Sequence, residues 1–143
     1  MLRRSKLEIR TKVVTMTARP SWQMYSRLEK TMNAMRGRDH TLHVIQGTGS
    51  VTIIMDGAVA KEVLEILGEE EIVKTEKDLV ELIVNSPDTV EDVPGVVAFL
   101  SSSLSSKGIN FLEVISCYKD TMFVIEQKDM MAAFDTSNQI TSM

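Results

Sequence analysis

The chain has 143 residues, a net charge of −4, 43% hydrophobic and 25% charged residues, and a single cysteine, Cys117. That length fits one ordinary domain or two very small ones, and the apolar share excludes a disordered chain. The acidic balance gives no overall pull toward nucleic acid or an anionic membrane. One cysteine excludes an internal disulfide framework, and two histidines beside it are too few for a Cys/His zinc cage. No apolar run approaches the roughly 18 residues that span a bilayer. Met1-Leu2-Arg3-Arg4 leads into polar sequence, not an apolar secretory stretch. The expectation is a cytoplasmic chain with no membrane partner.

Residues 8–17 are rich in valine and threonine and predict a strand, with Arg19-Pro20-Ser21 as the breaker after it. Ser21 is placed to cap the next helix. In that helix Met24, Leu28, Met32 and Met35 form one apolar face, backed by Trp22 and Tyr25. Arg36-Gly37-Arg38 ends it. Residues 41–46 and 51–55 predict two short strands, joined by a hairpin loop at Gly47-Thr48-Gly49-Ser50. A helix over 57–67 follows, with Asp56 as its cap and Gly68 as its stop. Residues 71–75 and 78–85 predict two further strands. Pro94 opens a helix to about Lys107, and Gly108 closes it. Strands over 109–116 and 121–126 and a helix over 128–135 complete the pattern. The stretch from Thr136 onward is polar and is expected to fray.

This order runs nearly twice. Leu42-His43-Val44-Ile45 aligns with Leu112-Glu113-Val114-Ile115, 70 positions later. Ile53-Ile54-Met55-Asp56 aligns with Phe123-Val124-Ile125-Glu126 at the same offset. The expected fold class is therefore α+β: two tandem βαββαβ ferredoxin-like units, with antiparallel sheets and helices on one face. The expected bounds are 8–75 for the first unit and 76–136 for the second, with 137–143 as a polar tail.

Two local features carry chemistry. In Asp92-Val93-Pro94-Gly95-Val96-Val97 a loop with an acid meets a helix opened by Pro-Gly. Proline suits the first helical position, glycine admits close approach to the backbone, and the free N–H groups at the helix start favour an anion. In Gly108-Ile109-Asn110 a helix-capping glycine leads into a strand. Asn110 brings an amide that donates and accepts hydrogen bonds, and is expected on the same rim as the Asp92 loop. Each feature alone also reads as an ordinary turn.

Together they resemble the ACT domain, a small regulatory module of many amino-acid metabolic enzymes. The strand, Asp92-Val93-Pro94-Gly95, the helix and Gly108-Ile109-Asn110 follow the family pattern. Residues 109–126 resemble the paired ACT strands in the regulatory end of aspartate kinases. The resemblance covers 78–135 and extends by duplication to 8–75. It implies binding of a small effector, usually an amino acid, at the interface between two ACT units. The implied ligand-binding residues are Asp92, Val93, Gly95 and Val96, with Ile109 and Asn110. The first unit departs from the pattern. Ala18-Arg19-Pro20-Ser21-Trp22 stands where Asp-x-Pro-Gly belongs, and Arg38-Asp39-His40-Thr41 replaces Gly-Ile-Asn. An equivalent site there is not expected.

The remaining residues point to plainer roles. Cys117 has no histidine near it in sequence to act as a base. His40 and His43 face opposite ways on an extended segment. Glu69-Glu70-Glu71 is a solvated turn, and the ten methionines are adaptable core filling. The basic start, Arg3, Arg4, Lys6, Arg10 and Lys12, reads as a solvated arm. No Walker loop, GxGxxG, HExxH or GxSxG occurs, so no enzyme, catalytic residue, metal or cofactor is expected. The expectation is a stand-alone regulatory protein, most simply a homodimer, acting on a separate enzyme or regulator chain. The alternative is an assembly module of the same fold without a ligand. An RNA-binding module of this fold would need stacking aromatics and a basic face, and a phosphatase of this fold a Gly-rich cradle around Arg19. Neither is present.

Overall fold

Valine and threonine crowd residues 11–17, and the chain there is extended as β1, Lys6–Ala18. The computed structural model describes residues 6–85, 93–117 and 120–141. After β1 come α1 (Trp22–Met35), β2 (Leu42–Gln46), β3 (Val51–Asp56), α2 (Ala60–Leu67), β4 (Ile72–Asn85), α3 (Val93–Ser105), β5 (Phe111–Cys117), β6 (Asp120–Glu126) and α4 (Met130–Thr141). Short 3-10 turns, Gly57–Val59 and Gln127–Asp129, lead into α2 and α4. The fold class is the expected one, α+β with antiparallel ferredoxin-like sheets.

The chain divides into two compact units. The first is Lys12–Asp78, and the second joins Met1–Thr11 to Leu79–Met143. This differs from a cut at 75/76, because the start of β1 goes with the second unit. The cause is packing: Leu7 and Ile9 lie against the second core, while Val14, Met16 and Ala18 lie in the first. The expected strands 71–75 and 78–85 are one strand, β4. Among the described residues, Lys12 and Asp78 are the two non-glycine residues with positive φ, 56° each. Each sits where a long strand crosses the division. At Lys12 the backbone is also approached closely: a Cβ on Gly57 would come within 2.7 Å of the Lys12 carbonyl oxygen.

In the first unit the strands follow the order β2-β3-β1-β4. Val14 faces Met55, Met16 faces Ile53 and Ala18 faces Val51 across the β1–β3 ladder. All six are in the core with Met24, Leu28 and Met35 of α1 and Val63 and Leu67 of α2. Both helices therefore cover one face. The buried stripe of α1 is Met24, Leu28, Thr31 and Met35. Met32, expected in it, is 50% exposed, and Trp22 is 94% exposed. At about 100° per residue, seven residues return close to the starting face while eight overshoot it. The Thr31 hydroxyl escapes the cost of burial by donating to the Arg27 carbonyl at 2.9 Å.

In the second unit the order is β1-β4-β6-β5. Val80, Leu82 and Val84 of β4 and Phe123 and Ile125 of β6 form the core with Leu100 and Leu104 of α3, Ile109 and Ala133 of α4. The duplication is visible in the hairpins. Val44 faces Ile53 as Val114 faces Phe123, and His43 faces Ile54 as Glu113 faces Val124. A bulge between Phe111 and Glu113 interrupts the register in the second unit. The last helix runs to Thr141, so most of the expected polar tail is helical, with Ser137 buried.

Candidate functional site

α3 starts at Val93, so Val93, Pro94, Gly95 and Val96 make up its first turn. Asp92 lies outside the described residues. The first N–H groups of a helix have no partner within it and stand at the positive end of its dipole. Pro94 has no N–H to offer, which leaves the amides of its neighbours as the donors of this turn.

At the far end α3 is closed tightly. Ser106 N–H donates to Ser102 O at 2.9 Å, Lys107 N–H to Leu104 O at 3.1 Å and Gly108 N–H to Ser105 O at 2.9 Å. Gly108 adopts φ +76°, the left-handed conformation that glycine tolerates after a helix. Ile109 N–H donates back to Leu104 O at 3.4 Å, and its side chain is in the core. Asn110 is exposed.

These two groups do not share a rim. β4 and β5 both run antiparallel to β6, so they are parallel to each other. A helix that links parallel neighbours must travel the length of the sheet. Its 13 residues span about 20 Å, which separates the start of α3 from Asn110. The expectation of one rim is corrected accordingly. A small ligand touching both sets must take them from two different copies.

The corresponding places in the first unit are filled by the chain itself. The Ser21 hydroxyl accepts from Met24 N–H at 3.0 Å and donates to Glu71 Oε2 at 3.3 Å. With its amide oriented to suit both neighbours, Gln23 donates to Glu71 Oε1 at 3.2 Å and accepts from Arg27 Nη2 at 2.7 Å. Arg27 Nη1 reaches the Leu67 carbonyl at 2.8 Å, where α2 ends, and Glu70 Oε1 at 2.6 Å. The guanidinium hydrogen-bonded to Glu70 holds its carboxyl below the ordinary value of 4.5. At the Gly-Ile-Asn position, Arg38 Nη1 donates to Glu62 Oε2 at 2.8 Å, and His40 Nδ1 lies 3.3 Å from Asp56 Oδ2. Asp56 also caps its turn, accepting from Ala58 N–H at 3.0 Å. The start of α1 is thus capped, and a carboxylate already faces it. Apart from the local caps at Ser21 and Asp56 and the Gln23–Arg27 contact, these pairings join residues far apart in sequence.

Among the described residues, no three His, Cys, Asp or Glu side chains are grouped to hold a metal ion. No helix there is long and apolar enough to cross a membrane.

The region around α3 also matches a known family. Residues 74–136 match the family model of the ACT domain. This segment is similar to the ACT domain. No curated protein is a significant match to the chain. The fold is similar to the regulatory subunit of aspartate kinase from Thermus thermophilus in its ligand-free form. That similarity has a TM-score of 0.71 and 17% identity, over 93% of this chain and 94% of that one. It is also similar to a chain from the structure of aspartokinase alpha and beta subunits, with a TM-score of 0.72 and 15% identity over 96% and 97% of the two chains. Against aspartate kinase from Clostridium acetobutylicum the TM-score is 0.73 at 10% identity, over 94% of this chain and 34% of that one. At such identities the ACT similarity is one of fold.

Proposed function

We propose that the protein is a non-catalytic regulatory module that senses a small effector, an amino acid, through its second unit. The supporting observation is the contrast between the two helix starts. The ACT segment contains the start of α3, with Pro94 and Gly95 in its first turn, while the start of α1 is closed by Ser21 and Glu71. In this reading the effector's carboxylate lies on the amides of Gly95 and Val96, beside Val93, and its ammonium group near Asp92. The Asn110 amide and the Ile109 carbonyl come from a second copy, because α3 separates the two sets within one chain. The working form is then a homodimer, in a cytoplasmic setting. Its output is a change in association with a separate enzyme or regulator chain, driven by unequal effector affinity for two packing arrangements.

Thermal unfolding of the full chain with each of the twenty amino acids at millimolar concentration tests this. One amino acid, or one related group, is expected to stabilise it, by about 2.7 kcal/mol at a hundredfold excess over Kd. Asp92→Ala and Asn110→Ala are each expected to remove the effect. Stabilisation by none of the twenty overturns effector sensing and leaves the assembly-module reading.

A further inference from the structure

The two cores differ in polarity at the end of the sheet where the first helix of each unit starts. In the first unit Val51, the first residue of β3, and Leu67, the last of α2, are fully buried there. At the 70-residue offset the second unit has Thr121 and Ser137. They are just as buried, 2% and 0% exposed. Thr121 faces the core because its ladder partner on β4, Val84, does so, like Phe123 and Ile125 opposite Leu82 and Val80. Ser137 lies one helical turn after Ala133 on the buried face of α4. Val84 stands at the end of β4 from which the chain goes on to α3. α4 leaves the opposite end of β6 through the turn Gln127–Asp129 and runs back, so Ser137 in its second half returns toward the start of α3. Both hydroxyls therefore belong to the layer of the second core nearest the first turn of α3.

A buried hydroxyl without a partner costs free energy. Elsewhere in the chain, helix hydroxyls find a partner one turn back. Thr31 donates to the Arg27 carbonyl at 2.9 Å and Ser103 to the Phe99 carbonyl at 2.8 Å. Ser137 Oγ does neither this nor anything equivalent, for it has no hydrogen-bond partner among the described residues. Internal waters sit where buried polar groups lack protein partners, and they need at least two such groups to hold them. We propose that Thr121 and Ser137 together bind an internal water molecule beneath the first turn of α3. The first turn of α3 then stands on a wet layer, where that of α1 stands on the dry pair Val51 and Leu67. This inference goes beyond the proposed function and holds whether or not an effector binds.

Hydrogen exchange at the β6 amides of the full chain reads the stability of the second unit. Ser137→Ala and Thr121→Val each leave the water a partner short. Each is expected to raise the opening constant of these amides about fivefold. The double variant leaves no hydroxyl unpaired, so its opening constant is expected to lie closer to that of the wild type than either single variant does. Relaxation dispersion of the solvent oxygen detects long-lived waters, and the double variant is expected to lose one that the wild type holds. A hydroxyl that is simply orphaned gives the opposite sign, because removing it then stabilises the core. Three results overturn the proposal: an opening constant in Ser137→Ala at or below the wild-type value, a double variant whose effect is the sum of the two single ones, or long-lived waters unchanged in the double variant.

Discussion

The two units answer the same packing problem with different residues, and the differences fall at the helix starts and in the core. α1 begins with Ser21 capping Met24 N–H, Glu71 bonded to the cap, and Arg27 tying α1 to the end of α2. α3 begins with Val93, Pro94 and Gly95. The first arrangement uses its amides to stabilise the fold, whereas the second has a proline and a glycine in its first turn. In the cores, Ile53 of the first unit corresponds to Phe123 of the second, while Val63 and Leu67 correspond to Ala133 and Ser137. A larger side chain on the strand goes with smaller ones on the helix. Duplication thus kept the pairing of residues 43–46 in residues 113–116, and changed the residues at the helix starts.

The largest expected effect breaks the assignment of residues 6–11 to the second unit. Replacing Leu7 and Ile9 together by alanine is expected to cost about 2–5 kcal/mol. Hydrogen exchange should show the loss of protection in β4 beyond Asp78, β6 and α3, with α1 and β3 spared. Loss confined to 12–78 would contradict the assignment. Next, Gly68 has φ +87°, and a Cβ there would lie within 2.4 Å of Arg27 Nη1. Gly68→Ala is expected to destabilise the first unit by about 1–3 kcal/mol in denaturant unfolding. Gly108 has φ +76° but no atom within 4 Å of a Cβ, so Gly108→Ala should cost less. Ser21→Ala removes the cap of α1 and is expected to cost about 1 kcal/mol.

The smallest effect is a pH dependence confined to the first unit. Arg27 depresses the Glu70 carboxyl, so the stabilisation from this pair is present above the ordinary value of 4.5 and is lost as pH falls through the lower folded value. Melting temperatures of wild type and Glu70→Gln should differ slightly at neutral pH and converge on acidification below 4.5. Glu70 is exposed, so a large difference would be unexpected.

Much of this architecture is legible in the residues. β3 and β6 are short apolar runs beside turns, and the 70-residue offset between them predicts the matching hairpins. Other parts are hidden for physical reasons. Glu76-Lys77 separates the two expected strands 71–75 and 78–85, yet one strand continues through it because those residues lie on an edge where charge is solvated. Local alternation cannot name a strand's partner, so residues 8–11 looked like part of the first unit. The clue was the change of inward residues from odd numbers, Leu7 and Ile9, to even ones, Val14 and Met16, across Lys12. The candidate site was legible as Pro94-Gly95 and Gly108-Ile109-Asn110, but not its division between the two ends of α3, which follows from the parallel run of β4 and β5.

The most direct measurement of effector sensing by the second unit alone is an amide-resolved NMR titration of the full chain with the amino acid that stabilises it. The expected result is saturable shifts at Gly95, Val96, Ile109 and Asn110, with the amides of Trp22, Gln23 and Met24 unmoved. Shifts centred on Trp22 to Met24, or no shifts at the α3 start at saturation, would contradict it.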